Sequence, residues 1–145
     1  MARNKKAEVI EVLPPAPATD QPITETIEKN YMPYVMSVIV SRAIPEIDGF
    51  KPSHRKLLYT MYKMGLLSGG RIKSANVVGQ TMRLNPHGDA AIYDTLVRLT
   101  RGNAALLHPF IDSKGAFGKQ YSSNMAPSAS RYTEVRLEKF ATELF

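Results

Sequence analysis

The chain has 145 residues, no cysteine and a formal net charge of +6. This length suits about one domain, and a hydrophobic content of 43% is ordinary for a globular protein, which argues against a fibrous or wholly disordered chain. Disulfides are excluded, and three scattered histidines leave no credible zinc site. Any metal must therefore be held by carboxylates or by another chain.

The positive charge is concentrated in the middle of the chain. Residues 42–101 hold ten basic and four acidic side chains, against four and five in residues 1–41 and five and four in residues 102–145. A local cationic field attracts polyanions and is typical of nucleic-acid-binding proteins. On charge alone, a solvated basic face is an equally good interpretation.

Residues 1–22 are predicted to form a flexible tail, because four prolines stand among Ala, Thr and acidic residues. The same acids and prolines interrupt any apolar run that a secretory signal would need. The longest apolar stretch, Tyr34 to Val40, is too short to cross a bilayer. We therefore expect a cytoplasmic protein without a membrane partner.

Two helices are predicted at the start of the body of the chain, residues 23–145. The first covers residues 23–44, although Pro33 should kink or break it and the β-branched run Val38–Val40 also fits a strand. The second begins at Pro52 and ends at a Gly65 cap. Its predicted buried side comprises Leu57, Leu58, Met61 and Tyr62.

Two further helices are predicted on either side of residues 85–88, the first capped by Ser74 and the second by Asp89 and ending at Gly102. Their predicted buried positions are Val77, Val78 and Met82, then Ile92, Tyr93, Leu96, Val97 and Leu99. The spacing is that of a helix-turn-helix, whose second helix commonly enters the DNA major groove. An ordinary helical hairpin is the commoner alternative, and the basic charge favours the helix-turn-helix.

The pattern changes after this pair. Glycines and aromatic residues from His108 to Met125 predict short strands and loops. A last helix is predicted from a Thr133 cap, with Val135, Phe140 and Leu144 on its apolar side. This helix is barely complete at the last residue, so we expect the chain to be a piece of a longer polypeptide.

Tyr132 is a candidate nucleophile. A phenol has a pKa near ~10, so at neutral pH it needs a base or a nearby positive charge to react. Arg131 supplies that charge if a loop brings the two side chains together, whereas in an extended strand they would point to opposite faces. A tyrosine chosen from sequence alone is far more often structural.

His87 and a group of cations near residue 52 are the other candidates. His87, at a predicted helix start, can transfer a proton or bind phosphate, or can simply bond backbone amides in a turn. The cations Lys51, His54, Arg55 and Lys56 gather at a helix start. They are a poor match to the helix dipole there, so phosphate binding or solubility must account for them.

Four stretches taken together are more specific than any single residue: Tyr34–Pro45, Asp48–Tyr59, Pro86–Asp89 with Tyr93–Thr95, and Arg131–Glu134. In order and spacing they resemble the A subunit of bacterial type IIA topoisomerases, DNA gyrase and topoisomerase IV. The resemblance runs from about Ile23 to Phe145.

The resemblance implies an α+β, mainly helical fold: a winged-helix DNA-cleavage domain of the catabolite-activator type over residues 23–145, preceded by the arm 1–22. It implies that Tyr132 attacks DNA to form a transient 5′-phosphotyrosyl link, with Arg131 stabilising the charged transition state. The further catalytic positions that it implies are His87 and Arg42. The implied DNA-binding positions are Lys51, His54, Arg55, Lys56, Lys73, Ser74, Asn85 and Arg98.

Partners and cofactors follow from the same resemblance. It implies double-stranded DNA, a second copy of this chain and a B subunit, which hydrolyses ATP and holds most of the Mg²⁺ ligands. The family couples cleavage to ATP-dependent duplex passage, for which this fragment alone is expected to be insufficient.

Two of the departures from the family pattern bear on the predicted site most directly. Asn85 replaces a frequent histidine, and Ala90 replaces a frequent serine at the quinolone-binding position whose acidic partner is Asp94. We therefore expect weaker quinolone trapping than in members that carry the serine. Two other functions stay open, a helix-turn-helix module that binds DNA without cutting it and a truncated fragment that binds the B subunit.

Overall fold

The computed structural model describes residues 20–100, 108–119 and 125–145 of the chain. Two compact units are distinguished, residues 1–35 and 36–145. The described helices and a three-stranded antiparallel sheet confirm the predicted α+β class. The elements are α1 (Ile23–Thr26), a π-helical turn (Ile27–Tyr31), α2 (Met32–Val38), a second π-helical turn (Ile39–Ala43), α3 (Pro52–Lys63), β1 (Ile72–Lys73), α4 (Ser74–Thr81), α5 (Asp89–Arg98), β2 (Ile111–Lys114), β3 (Glu134–Leu137) and a 3₁₀-helix (Lys139–Leu144).

The predicted helix over residues 23–44 is confirmed, and Pro33 does not break it. A proline in a helix lacks the N–H of the regular hydrogen-bond ladder and crowds the preceding turn. Here a π-helical turn precedes it, in which the Met32 N–H bonds the carbonyl of Ile27, five residues back. The strand alternative for Val38–Val40 is wrong, because these residues are helical.

Helix α3 ends as predicted at Gly65. The N–H of Gly65 donates to the Tyr62 carbonyl at 2.9 Å and that of Leu66 to the Met61 carbonyl at 3.2 Å, which is the Schellman pattern. Gly65 has φ 71°, a conformation that costs little only for a residue without Cβ. One predicted core residue is wrong, since Tyr62 is exposed and stacks on Phe145 at 4.4 Å between ring centroids.

The core lies where α3, α4 and α5 pack together and against the sheet. Fully buried side chains from these elements include Leu57, Met61, Val77, Leu96, Ile111, Val135 and Leu137. Met82, predicted to be buried, is exposed because α4 ends at Thr81 and a turn follows it. The connection between α4 and α5 is therefore residues 82–88, longer than the four predicted.

The sheet has the strand order β1-β3-β2, with Ile72 opposite Val135 and Ile111 opposite Leu137. The last helix predicted from a Thr133 cap is wrong. Residues 134–137 alternate partly exposed and buried side chains, which suits a half-buried strand, and β3 forms there instead. A short 3₁₀-helix follows this strand.

Some predictions fall outside the described residues, namely residues 1–19 of the tail and the end of a helix at Gly102. Asp89 is the first residue of α5 rather than its cap, and its side chain accepts the N–H of Ala90 at 2.9 Å. Within the described residues, none of the helices is both long and apolar enough to cross a membrane.

Glycine substitutions test the end of α3. Gly65→Ala should lower the free energy of unfolding by about 1–2 kcal/mol, because alanine is strained in the left-handed conformation. Gly79→Ala is the matched control, since Gly79 lies inside α4 with open space around its Cβ position, and should raise stability by about 0.5–1 kcal/mol. Denaturant unfolding of both variants measures this, and equal effects would contradict the assignment.

Candidate nucleic-acid interface

A groove of about 440 Å³ lies between the start of α3, the exposed side of α5 and the residues before each. It is lined by Ser41, Arg42, Pro52, Ser53, Lys56, Asn85, His87, Ala91 and Thr95. Two of these side chains, Arg42 and Lys56, are cations and none is acidic. Clefts lined by charge of one sign concentrate counter-ions, so this groove attracts anions such as phosphate.

Arg42 and His87 meet in this groove, as the sequence candidates would require. Nη2 of Arg42 lies 2.5 Å from Nε2 of His87. Since arginine can only donate, Nε2 is the acceptor and the ring carries its proton on Nδ1. The pair places a fixed positive charge against an imidazole in the groove.

The His54 ring, in contrast, forms a hydrogen bond with the protein backbone. Its Nδ1 accepts the N–H of Lys51 at 3.2 Å, which caps the start of α3. Burial, followed by the positive charges of Lys51 and Arg98, lowers the pKa of His54 below its usual value. His54 therefore acts as a cap of α3, its DNA contact stays a prediction, and Lys51 and Arg98 are exposed beside it.

Two other predicted DNA contacts are paired with acids. Arg55 bonds the carboxylates of Asp48 and, at 3.1 Å, Glu46. Lys73 bonds Glu134 at 2.9 Å across β1 and β3, and this bond lowers the pKa of the Glu134 carboxyl. These two cations are partly neutralised, so they offer less charge to phosphate than the cations in the groove.

Tyr132 and Arg131 stand together on a tight turn. The Tyr132 N–H donates to the Ala129 carbonyl at 2.9 Å, and the guanidinium carbon of Arg131 lies 4.9 Å from the centroid of the Tyr132 ring. The predicted loop geometry is thus present. Tyr132 is 65% exposed, so its phenol is accessible to a ligand, but neither residue lines the groove.

Ser74 is not a surface contact. It is fully buried, and its Oγ accepts a hydrogen bond from Thr133 Oγ1 at 2.8 Å. Its hydroxyl is buried, and its DNA contact stays a prediction. It is also the first residue of α4 rather than its cap.

The exposed side of α5 carries Ala90, Asp94 and Arg98. Ala90 and Asp94 are four residues apart and so share a helix face, consistent with a common drug site that stays a prediction. Sequence reasoning missed the small polar residues of the groove, Ser41, Ser53 and Thr95. Thr95 belongs to the Tyr93–Thr95 motif, and this was the one sequence signal that could have marked it as a site residue.

Metal binding has no visible basis in the described part of the chain. Over these residues, no group of three or more His, Asp or Glu side chains could hold a metal ion. What the described residues offer a phosphodiester is positive charge, an imidazole and an exposed phenol.

Comparison with known proteins identifies the family. The family model for the A subunit of DNA gyrase and topoisomerase IV matches residues 42–145. The DNA gyrase A subunit of Mycolicibacterium smegmatis is 46% identical over 124 residues, 84% of this chain and 14% of that protein. The same subunit of Borreliella burgdorferi is 47% identical over 120 residues (81% and 14%), and that of Thermotoga maritima 42% over 128 residues (86% and 16%).

The chain belongs to the family of DNA gyrase and topoisomerase IV A subunits, which confirms the resemblance drawn from its motifs. It spans 14% to 16% of the length of these relatives. The residues matched by the family model include most of the groove, the α4–α5 pair and the Tyr132 turn.

The His54 cap predicts a pH dependence of stability. Its folded-state pKa is lowered, so the unfolded chain takes up the proton first as the pH falls. The stabilising contribution is complete above the unfolded value of about 6.5 and is lost as the pH falls from there through the folded pKa. His54→Asn, which keeps an acceptor that does not titrate, should flatten the decline in unfolding free energy between about pH 7 and 5. Parallel pH profiles for the two proteins would contradict the assignment.

Proposed function

We propose that this chain is the DNA-cleaving part of the A subunit of a type IIA topoisomerase, built as a winged-helix domain. The observation that carries the proposal is the groove, in which Arg42, Lys56 and His87 stand without an acidic neighbour in the lining. The exposed Tyr132 and Arg131 on their turn support the cleaving function. Family membership and the matched region support both.

Phosphate binding in the groove rests on two kinds of contact. Lys56 and Arg42 supply charge, which governs affinity for the DNA backbone and its dependence on salt. Asn85 and Ser53 supply neutral donors that orient a phosphate without adding charge. The exposed α5, the second helix of the pair, is the element proposed to face the duplex.

The proposed reaction is a transesterification. Oη of Tyr132 attacks a backbone phosphorus, the Oη–P bond forms and the bond from phosphorus to the 3′ oxygen breaks. The phenol proton leaves to a base, and the 3′ oxygen takes up a proton to become a free hydroxyl. Arg131 stabilises the negative charge that builds on the phosphate oxygens, and the reverse attack reseals the strand.

His87 and Arg42 act, in this proposal, on the bound phosphate. The ring of His87 is held with Nε2 accepting from the Arg42 guanidinium, which leaves the Nδ1–H as its donor to a phosphate oxygen. Arg42 stays charged throughout and stabilises the oxygens of a phosphate bound in the groove. A catalytic base for the Tyr132 phenol is not among its bonded neighbours in the described residues.

The proposed assembly contains two copies of this chain, so that two tyrosines cut opposite strands. A B subunit would hydrolyse ATP and supply most of the Mg²⁺ ligands. With genomic DNA as its substrate, the complex would act in the cytoplasm at the nucleoid. Duplex passage belongs to the whole complex.

A second candidate, a helix-turn-helix module that binds DNA without cutting it, is favoured by the groove alone. It would have no use for an exposed tyrosine beside an arginine. A fragment that only binds the B subunit would need neither feature. Covalent capture of DNA separates the three.

Tyr132→Phe should abolish covalent DNA–protein adducts, because it removes only the attacking oxygen. The measurement uses the full-length parent protein with its B subunit, Mg²⁺ and supercoiled DNA, and detects protein-linked DNA after denaturation. Tyr59→Phe is the matched control, an exposed tyrosine on α3, and should cleave like the parent. Adducts that persist in Tyr132→Phe would contradict the proposal that Tyr132 is the nucleophile.

Lys56→Gln should weaken DNA binding and reduce the slope of log affinity against log salt by about 1, the value of one phosphate contact. Lys63→Gln removes an equal charge from the other end of α3, where the ammonium lies 5.7 Å from the Tyr59 ring centroid. The control should leave the slope nearly unchanged. Equal losses in both variants would mean that general charge, and not the groove, binds DNA.

A further inference from the structure

The turn that carries Tyr132 is fastened to two helices by hydrogen bonds that the proposed chemistry does not use. Helix α4 has no side-chain cap among the described residues. Instead, its N–H groups at Ser74 and Ala75 donate to the carbonyls of Thr133 at 3.0 Å and Ser130 at 3.1 Å. The first amides of a helix need external partners, and here the turn supplies them.

Hydrogen bonds between buried hydroxyls also hold the turn in place. Thr133, directly after Tyr132, is fully buried, and its hydroxyl donates to Ser74 Oγ at 2.8 Å. From α5, the Tyr93 hydroxyl donates to the Ser128 carbonyl at 2.6 Å and lies 3.2 Å from Thr133 Oγ1. Buried polar groups are costly without partners, so this arrangement resists displacement.

Gly115 closes a third side of the turn. A Cβ at this position would lie 3.4 Å from both Cα and Cγ2 of Thr133, and φ there is 117°. A Cβ would make ordinary van der Waals contact with Thr133, so residue 115 packs directly against it, and only the positive φ disfavours a side chain. Thr133 is held from the sheet side as well as from both helices.

We propose that Tyr93 and Thr133 are positioning residues for Tyr132, fixing its turn so that the phenol is presented in one orientation. This inference rests on the proposed function, in which Tyr132 is the nucleophile. Thr133 acts on the position of Tyr132 directly, because the two residues are adjacent in the chain. Tyr93 also bonds the turn to α5. The same helix lines the groove with Ala91 and Thr95, so one helix contacts both the proposed DNA site and the turn that carries the nucleophile.

The test removes single hydroxyls from the full-length parent protein in complex with its B subunit. Tyr93→Phe and Thr133→Val keep the shapes of the side chains, Thr133→Ser keeps the hydroxyl, and Tyr59→Phe is the control. Two quantities are measured: the dissociation constant for DNA and the single-turnover rate of covalent adduct formation at saturating DNA.

We expect Tyr93→Phe and Thr133→Val to slow adduct formation about 10- to 100-fold, as a displacement of about 1 Å at a reacting group does. DNA affinity should change less than about twofold, since the groove is untouched, and Thr133→Ser should recover most of the rate. Melting temperatures identify any variant that fails to fold, and Tyr93→Phe is the milder of the two changes.

Parent-like rates in both hydroxyl-deletion variants would overturn the inference, as would slowing matched by an equal loss of DNA affinity. Tyr132→Phe, measured in the same series, separates failure of the nucleophile from failure of the positioning role. If it still forms adducts, the nucleophile itself is wrong. If it forms none while Tyr93→Phe and Thr133→Val cleave normally, only the positioning role fails.

Discussion

The capping of α4 by the turn before β3 is the constraint on which the rest of this structure depends. Two backbone amides of the helix find their partners in the carbonyls of Ser130 and Thr133, so helix start and turn are stable only together. The same turn leads into β3, the central strand of the sheet, and carries Tyr132 at its exposed edge. One set of hydrogen bonds thus joins the helical core, the sheet and the proposed reactive group.

The charge that a cation of this molecule offers to a ligand depends on whether a carboxylate lies beside it. The basic middle of the chain predicted a polyanion-binding surface, but Arg55 and Lys73 are partly neutralised by neighbouring carboxylates. Arg42 and Lys56 direct their charge into a groove without acids in its lining. A formal count cannot distinguish the two groups, because the distinction depends on which side chains fold beside each other.

Much of the helical part could be predicted from sequence. The Pro52 start and Gly65 end of α3 are local signals, and so is the apolar spacing of α5. The prediction of a helix after Thr133 was wrong because residues 134–137 were assigned a helical period. Only their pairing with β1 and β2 decides between helix and strand. The burial of Ser74 could not be predicted for a similar reason, since its partner Thr133 is 59 positions away. The motif order led to the family, whereas the anchoring of Tyr132 needed the folded chain.

That separation along the chain has a consequence for how the protein matures. Tyr93 and Thr133 are 40 positions apart, and closing such loops costs chain entropy that is offset only when the helices already stand in place. The tyrosine turn is therefore expected to acquire its final geometry late in folding. A half-folded chain would attract a polyanion by charge alone while its phenol is still unaligned, so the proposed cleavage would require the finished core.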